Sequence, residues 1–308
     1  MQYDVIIAGG GPAGLAAALA LGRARRRVLL CDAGPRRNAA AKLIYNFVTR
    51  DGTPPDEFRR LGREQLVAYP NVETRDALVG SLAGERGNFR ADLGAHSVEA
   101  RRVLLCTGMV DEMPEIDGFR ELWGRAIFQC PYCHGWEAKD RRWGCLARPE
   151  NLAHLPTFAT MLRAWTSEVT VFTNDAIELS ETARNQLQLA GVRVEGGSIK
   201  RLWGEGDRLE AVELVGGTRV ACEALFAHPP QRQVELVRAL GLALDQDGFL
   251  RLDPMRRESS VPGVYAAGDL TTRAQGAMLA AADGVRAAGA INVDLMMDLA
   301  AQGALRAG

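Results

Sequence analysis

The chain has 308 residues, more than one hydrophobic core usually serves, and its 47% hydrophobic and 24% charged residues exclude a disordered or fibrous protein. No apolar run is long enough to span a bilayer, and Met1 to Ala8 carries no basic region or cleavage site of a signal peptide, so a cytoplasmic protein is expected. A net charge of -1 argues against a general nucleic-acid binder, and the basic runs Arg23 to Arg27 and Arg36-Arg37 are local.

In chain order, Asp4 to Ala8 reads as a buried parallel strand. It is followed by Gly9-Gly10-Gly11-Pro12-Ala13-Gly14, an Ala/Leu-rich helix through Gly22, and a second strand from Arg27 to Cys31 that ends at Asp32. Gly9, Gly11 and Gly14, placed between a strand and a helix, permit a tight turn, a close approach of backbone to a pyrophosphate and close helix packing. Asp32 ends the next strand at the distance suited to ribose hydroxyls. This turn suits FAD and NAD equally.

Pro54 to Tyr69 has helical spacing and leads into strand candidates at Val72 to Thr74, Asn88 to Leu93 and Arg102 to Cys106, the last running into Thr107-Gly108. After Pro114 the pattern starts again, which predicts an inserted second α/β domain. Its first strand is placed near Trp143 to Ala147, its helix at Pro156 to Trp165, and later strands at Val169 to Thr173, Val192 to Val194, Leu209 to Val215 and Ala224 to Phe226. Gly263 to Asp269 returns to dinucleotide-domain character, and an Ala-rich helix follows to about Leu299. The first domain is thus 1–113 with 231–308, and the second is 114–230.

Of six cysteines, Cys31, Cys106, Cys145 and Cys222 sit singly in apolar segments as small hydrophobes. Cys130-Pro131-Tyr132-Cys133-His134-Gly135 is different: two cysteines two residues apart at a helix start suit a reversible disulfide, with one thiol pKa lowered. His134 is positioned in sequence as base or acid for thiol exchange. A zinc site needs two more soft ligands; there is no second cysteine pair, and His154 and His228 stand alone, so no metal is expected.

Gly268-Asp269 after a strand, with Gln275 to Ala282 opening a helix, supplies a carboxylate and free N–H groups suited to a flavin nucleotide. Together with Gly9 to Gly14 and Thr107-Gly108, this tail resembles the two-part FAD site of the low-molecular-weight thioredoxin reductase family. The resemblance implies two Rossmann-like domains, the FAD domain discontinuous and the NADPH-type domain inserted, and a homodimer. It assigns FAD contacts to Gly9, Gly11, Pro12, Ala13, Gly14, Asp32, Ala33, Arg37, Asn38, Asn46, Thr107, Gly108, Gly268, Asp269, Gln275, Gly276 and Ala277. It also implies that Cys133 faces the flavin and Cys130 exchanges with substrate. The family usually has an acidic residue after the second cysteine, where this chain has His134.

An NADPH site would need a second phosphate-binding turn near residue 146. Gly144-Cys145-Leu146-Ala147-Arg148-Pro149-Glu150-Asn151 has no glycine after Gly144, loses an N–H donor at Pro149 and puts an acid at Glu150. One strand later, Thr173 to Glu178 is acidic where a 2′-phosphate would need basic groups. NADPH binding is therefore not expected. Cys130 to Trp136, Asp32 to Asn38, Pro229 to Gln233 and Gly268 to Thr272 resemble a branch that includes the dithiol oxidases of gliotoxin and holomycin. That resemblance implies oxidation of a small-molecule dithiol, with oxygen reoxidising the flavin. The competing readings are a disulfide reductase acting on a thioredoxin-like protein and fed by ferredoxin or another donor, an NADPH thioredoxin reductase, and a flavoprotein redox sensor.

Overall fold

The computed structural model describes residues 2–34 and 36–304, and they divide into two compact units. The first opens with β1 (Tyr3–Ala8), α1 (Pro12–Arg23), β2 (Val28–Cys31), α2 (Pro55–Leu66), β3 (Val72–Arg75), β4 (Ser81–Glu85), β5 (Asn88–Asp92) and β6 (Ser97–Leu105). β3, β2, β1 and β6 lie side by side and parallel. Val5 and Ile7 face one core while Ile6 and Ala8 face the other, which is why β1 reads as an unbroken apolar run. β6 is longer than its apolar half suggests: Ser97 to Ala100 forms an antiparallel meander with β5 and β4, before Arg102 to Leu105 joins the parallel sheet.

The second unit contains α3 (Phe119–Leu122), β7 (Ile127–Phe128), α4 (Pro131–His134), β8 (Arg142–Leu146), α5 (Leu155–Leu162), β9 (Glu168–Phe172), α6 (Glu181–Leu189), β10 (Val192–Glu195), β11 (Ile199–Glu205), β12 (Arg208–Leu214), β13 (Arg219–Ala221) and β14 (Ala224–Phe226). A parallel sheet runs β10-β9-β8-β14-β7, and β11 to β13 form a separate antiparallel meander. Its first strand is β7, ahead of the one expected at Trp143. The two residues of β7 are too short to carry a periodic signal, yet they set Cys130 just past the sheet's C-terminal edge.

The tail completes the first unit with α7 (Glu235–Ala239), β15 (Val264–Ala266) and α8 (Ala277–Ala301). β15 pairs parallel with β6, so the C-terminal ends of β1, β2, β6 and β15 lie at one edge. α8 crosses α1 at backbone contact: a Cβ on Gly284 would stand 2.1 Å from the carbonyl oxygen of Ala13. The far end of α8 is tied down by Arg102, which is fully buried and paired with Asp294 and Asp298. Without those partners the guanidinium would be an uncompensated buried charge.

The division corrects the expected boundaries. Residues 40–46 belong to the second unit, which resumes at Asp111 and ends at Pro230; the first holds 1–39, 47–110 and 231–308. Segment 40–46 has no periodicity that would assign it to either unit. Among the described residues no helix is long and apolar enough to cross a membrane.

Candidate functional site

In the first unit the expected dinucleotide residues gather at the C-terminal edge of the parallel sheet. Gly9 follows β1 at φ +114°, where a Cβ would lie 2.2 Å from the Cys106 carbonyl oxygen. A Cβ on Gly14 would lie 1.9 Å from the Gly9 oxygen, whereas one on Gly11 would meet nothing within 4 Å. The first and third glycines are thus required by packing, and the second leaves an open approach to the backbone. Pro12 and Ala13 open α1, which has neither a side-chain cap nor an acidic residue in its first turn. Its leading N–H groups and dipole favour an anion.

Gly268 stands next to this turn; a Cβ there would be 3.1 Å from that of Ala13. The following residues form one polar network. Arg37 donates to Asp269 at 3.0 Å and to Gln275 at 2.6 Å, while Gln275 donates to the Asp269 carbonyl and to Gln231. Gly276 precedes α8 and Ala277 begins it, again without a side-chain cap or an acid in the first turn. Asn38 lies in the one-turn helix Arg37–Ala40. Ala33 lines a cleft with Asp32, Gly34, Arg59 and Arg63. Pro35, in the same segment, falls outside the described residues.

Asp32 is engaged by Arg59, whose Nε donates at 2.6 Å, and by the Gly34 N–H. Sequence reasoning missed Arg59; its one signal is spacing, since Arg59 and Arg63 share a face of α2. It also missed Asp283. This α8 carboxylate accepts from the Gly268 N–H, from Thr271 and from Arg257 at 2.5 Å, and so holds the turn that presents Asp269.

These residues fit a flavin nucleotide. The Thr107 hydroxyl at the end of β6 is buried with no hydrogen-bond partner among the described residues, and Gly108 beside it takes φ +65°. An orphaned donor, an open glycine and two uncapped helix N-termini, each without an acid in its first turn, are what an anionic, polar ligand satisfies. Asn46, at φ +58°, belongs to the second unit.

In the second unit, Cys130 ends the segment after β7 and is the N-terminal flanking residue of α4. Both cysteines of the pair are half-buried thiols, not joined in a disulfide. The Cys133 thiol donates to Cys130, and the N–H groups of Cys133 and Tyr132 point at it; together they outweigh burial and bring the Cys130 thiol down to about 7. The other four thiols are buried, and burial pushes each up. Of the six thiols, Cys130 is the one held low.

His134 departs from expectation. It stacks on Phe128 at 4.6 Å and 9°, with Tyr45 edge-on at 6.0 Å, and burial lowers its imidazole to about 4. At neutral pH it is uncharged, too weak a base to deprotonate an ordinary thiol unaided. Its proton traffic requires a neighbouring anion such as a newly released thiolate. Burial of this kind has no sequence signature in a polar CxxCH segment.

The segment after β8 is closed by its own side chains. Arg148 pairs with Glu150 at 3.0 Å, its N–H is capped by Asn151 at 2.9 Å, and Pro149 begins a short turn. After β9, Asn174 and Asp175 accept from the N–H groups of Ile199 and Gly197. His154 is exposed, and His228 packs edge-on to Phe158.

The model of the pyridine nucleotide-disulphide oxidoreductase family matches residues 3–284. A probable thioredoxin reductase of Arthroderma benhamiae is 30% identical over 337 residues, covering 97% of this chain and 82% of its own. The crystal structure of an oxidoreductase from Agrobacterium tumefaciens is 36% identical with a TM-score of 0.89, covering 96% of this chain and 99% of that one. That of HlmI is also 36% identical with a TM-score of 0.89, covering 98% and 95%.

Proposed function

The chain belongs to the pyridine nucleotide-disulphide oxidoreductase family, and from that premise we propose that it oxidises small dithiols to disulfides through Cys130 and Cys133, with oxygen as the final acceptor. It is a thioredoxin reductase-like FAD oxidoreductase. Gly9, Gly11, Pro12, Ala13, Gly14, Thr107, Gly108, Asp269, Gln275, Gly276 and Ala277 would hold FAD, with Asp32 and Arg37 adjoining. When bound, FAD would supply the two-electron chemistry that links the reduced pair to oxygen, with peroxide as the product.

The observation that carries thiol exchange at this pair is the Cys130 thiol held at about 7 beside Cys133, and the direction of exchange rests on the segment after β8. Starting from the Cys130–Cys133 disulfide, a substrate thiolate attacks Cys130; the disulfide breaks, and Cys133 leaves with the electron pair. The second substrate thiolate then attacks the substrate sulfur of the mixed disulfide. The substrate disulfide forms and Cys130 departs as a thiolate. A thiol brought to about 7 is a good leaving group, so Cys130 departs readily from the mixed disulfide. His134 takes up a proton only when such a charge lies beside it.

The closed segment after β8 supports the absence of a nicotinamide site. Arg148 is committed to Glu150, Pro149 offers no N–H, and Asp175 is spent on the backbone. A homodimer is part of the proposal, supported by the exposed apolar residues Leu279, Val285, Val293 and Met297 along α8.

Anaerobic mixing tests the proposal. A dithiol should bleach the flavin, NADPH and NADH should not, and admitted air should restore the colour with peroxide release. Fast stoichiometric bleaching by NADPH would sink it and return the chain to the disulfide reductases; bleaching by reduced ferredoxin with turnover of a protein disulfide would favour the ferredoxin-fed reading.

A further inference from the structure

We propose that Tyr132 and Trp136 form an aromatic platform that receives the substrate, so that the dithiol exchanged at Cys130 is carried on an aromatic or similarly flat apolar scaffold. This rests on the dithiol reading above and deepens it.

The platform follows from how α4 is seated. Pro131, Gly135 and Ala138 are buried on its inner side. A Cβ on Gly135 would stand 2.4 Å from the Pro131 oxygen and 3.0 and 3.1 Å from Trp143 and Trp165, so only glycine lets the segment settle on those two indoles. Tyr132 and Trp136, four residues apart, are left on the outer side, 62% and 68% exposed. Tyr132 lies between the two cysteines and Trp136 three residues after the second, and exposed aromatics are enriched where a surface meets a ligand.

Both rings are also held. Tyr132 meets Trp165 edge-on at 5.2 Å and donates its hydroxyl to the Met161 sulfur at 3.7 Å. Lys139 sits 3.3 Å above one face of Trp136. Ordered rings present flat surfaces at little entropic cost, as binding surfaces elsewhere do. Cys130, two residues before Tyr132 at the start of the same segment, is half-buried. A compact scaffold laid on the rings delivers sulfur to that thiol; the broad surface around a protein dithiol does not.

The test uses reduced, FAD-loaded protein and a redox-inert mimic, 1,2-benzenedimethanol, with 1,4-butanediol as control. The readout is protection of Cys130 from iodoacetamide, mapped by mass spectrometry. The aromatic diol should protect at roughly tenfold lower concentration. Flavin bleaching by 1,2-benzenedimethanethiol should show a KM lower than that of 1,4-butanedithiol by a similar factor. In the Tyr132→Ala/Trp136→Ala variant both ratios should fall to about one, while Tyr132→Phe keeps them. Trp136→Leu, at an exposed position, carries the same comparison where the double variant fails to fold. Equal protection by the two diols, an aromatic advantage that survives the double substitution, or protection by a thioredoxin-like protein alone would overturn the platform. Selective protection by the aromatic diol without bleaching by any dithiol would overturn the oxidase reading and leave the platform standing.

Discussion

Replacing Cys133 by Ala should change the reactivity of Cys130 in a way that only a lost hydrogen bond produces. The Cys133 thiol is the main cause of the fall in the Cys130 thiol from its ordinary 9.0 to about 7. At pH 7 about half of Cys130 is thiolate; at an apparent pKa of about 9 the fraction would be about 1%. Thiolate nucleophilicity rises with basicity at a Brønsted slope of about 0.4–0.5, which returns roughly six- to tenfold over two pKa units. Alkylation by iodoacetamide at pH 7 should therefore slow only about five- to eightfold, and above about pH 8 the variant should become the faster of the two. The assay is the pH–rate profile of carbamidomethylation at Cys130, followed by mass spectrometry on anaerobically reduced protein. The buried Cys31, Cys106, Cys145 and Cys222 supply an internal slow background. Cys133→Ser retains a donor and should shift the profile less. Parallel profiles for wild type and Cys133→Ala would refute the reasoning, because altered access rescales rates without moving the midpoint.

Two further outcomes follow from the geometry. His134 has a folded pKa of about 4 against an ordinary 6.5, so its neutral form is favoured on folding; stability is fully present above about pH 6.5 and is lost as pH falls toward 4, by about 3 kcal/mol. Denaturant titrations of the holoprotein at pH 7 and pH 4.5 should show a smaller difference in His134→Phe than in wild type; equal differences would mean the imidazole is not held neutral. Gly14→Ala places its Cβ 1.9 Å from the Gly9 oxygen and should cost about 1–3 kcal/mol together with bound flavin, measured as melting temperature and FAD stoichiometry; full flavin loading at wild-type stability would dismiss the packing role.

What could be read in the sequence was what short-range physics determines. β1 betrays itself as an unbroken apolar run because both its faces are buried, and the glycines after it because a strand-to-helix turn leaves no room for Cβ. The redox pair was legible because only one cysteine pair in the chain has close spacing. The elements that were missed, α3, β4, β7, α6, β11, β13 and α7, are short or largely exposed, so neither length nor periodicity marks them. The long-range partners had no local signal at all. Arg59 reaches Asp32 and Asp283 reaches Gly268 only because helices are laid across the sheet. His134 is the sharpest case: its type promises a base at neutral pH, and the rings of Phe128 and Tyr45 decide otherwise.

The direction of electron flow turns on which of two effects is larger. Lowering the Cys130 thiol to about 7 stabilises the reduced pair at pH 7 only through a half-populated thiolate, about 0.4 kcal/mol, or roughly 10 mV for two electrons. That is too small to dictate whether the pair oxidises or reduces its partner. Its consequence is kinetic, in the ease with which Cys130 leaves a mixed disulfide, and a good leaving group serves exchange in both directions. Direction is therefore set by what supplies and removes electrons at the flavin. In the second unit the segment after β8 has Arg148 paired with Glu150, Pro149 without a donor, and Asn151 capping the Arg148 N–H, and this supports the proposed direction. The proposal takes a dithiol as the reductant, in place of a hydride from a nicotinamide, and oxygen as the acceptor that closes the cycle.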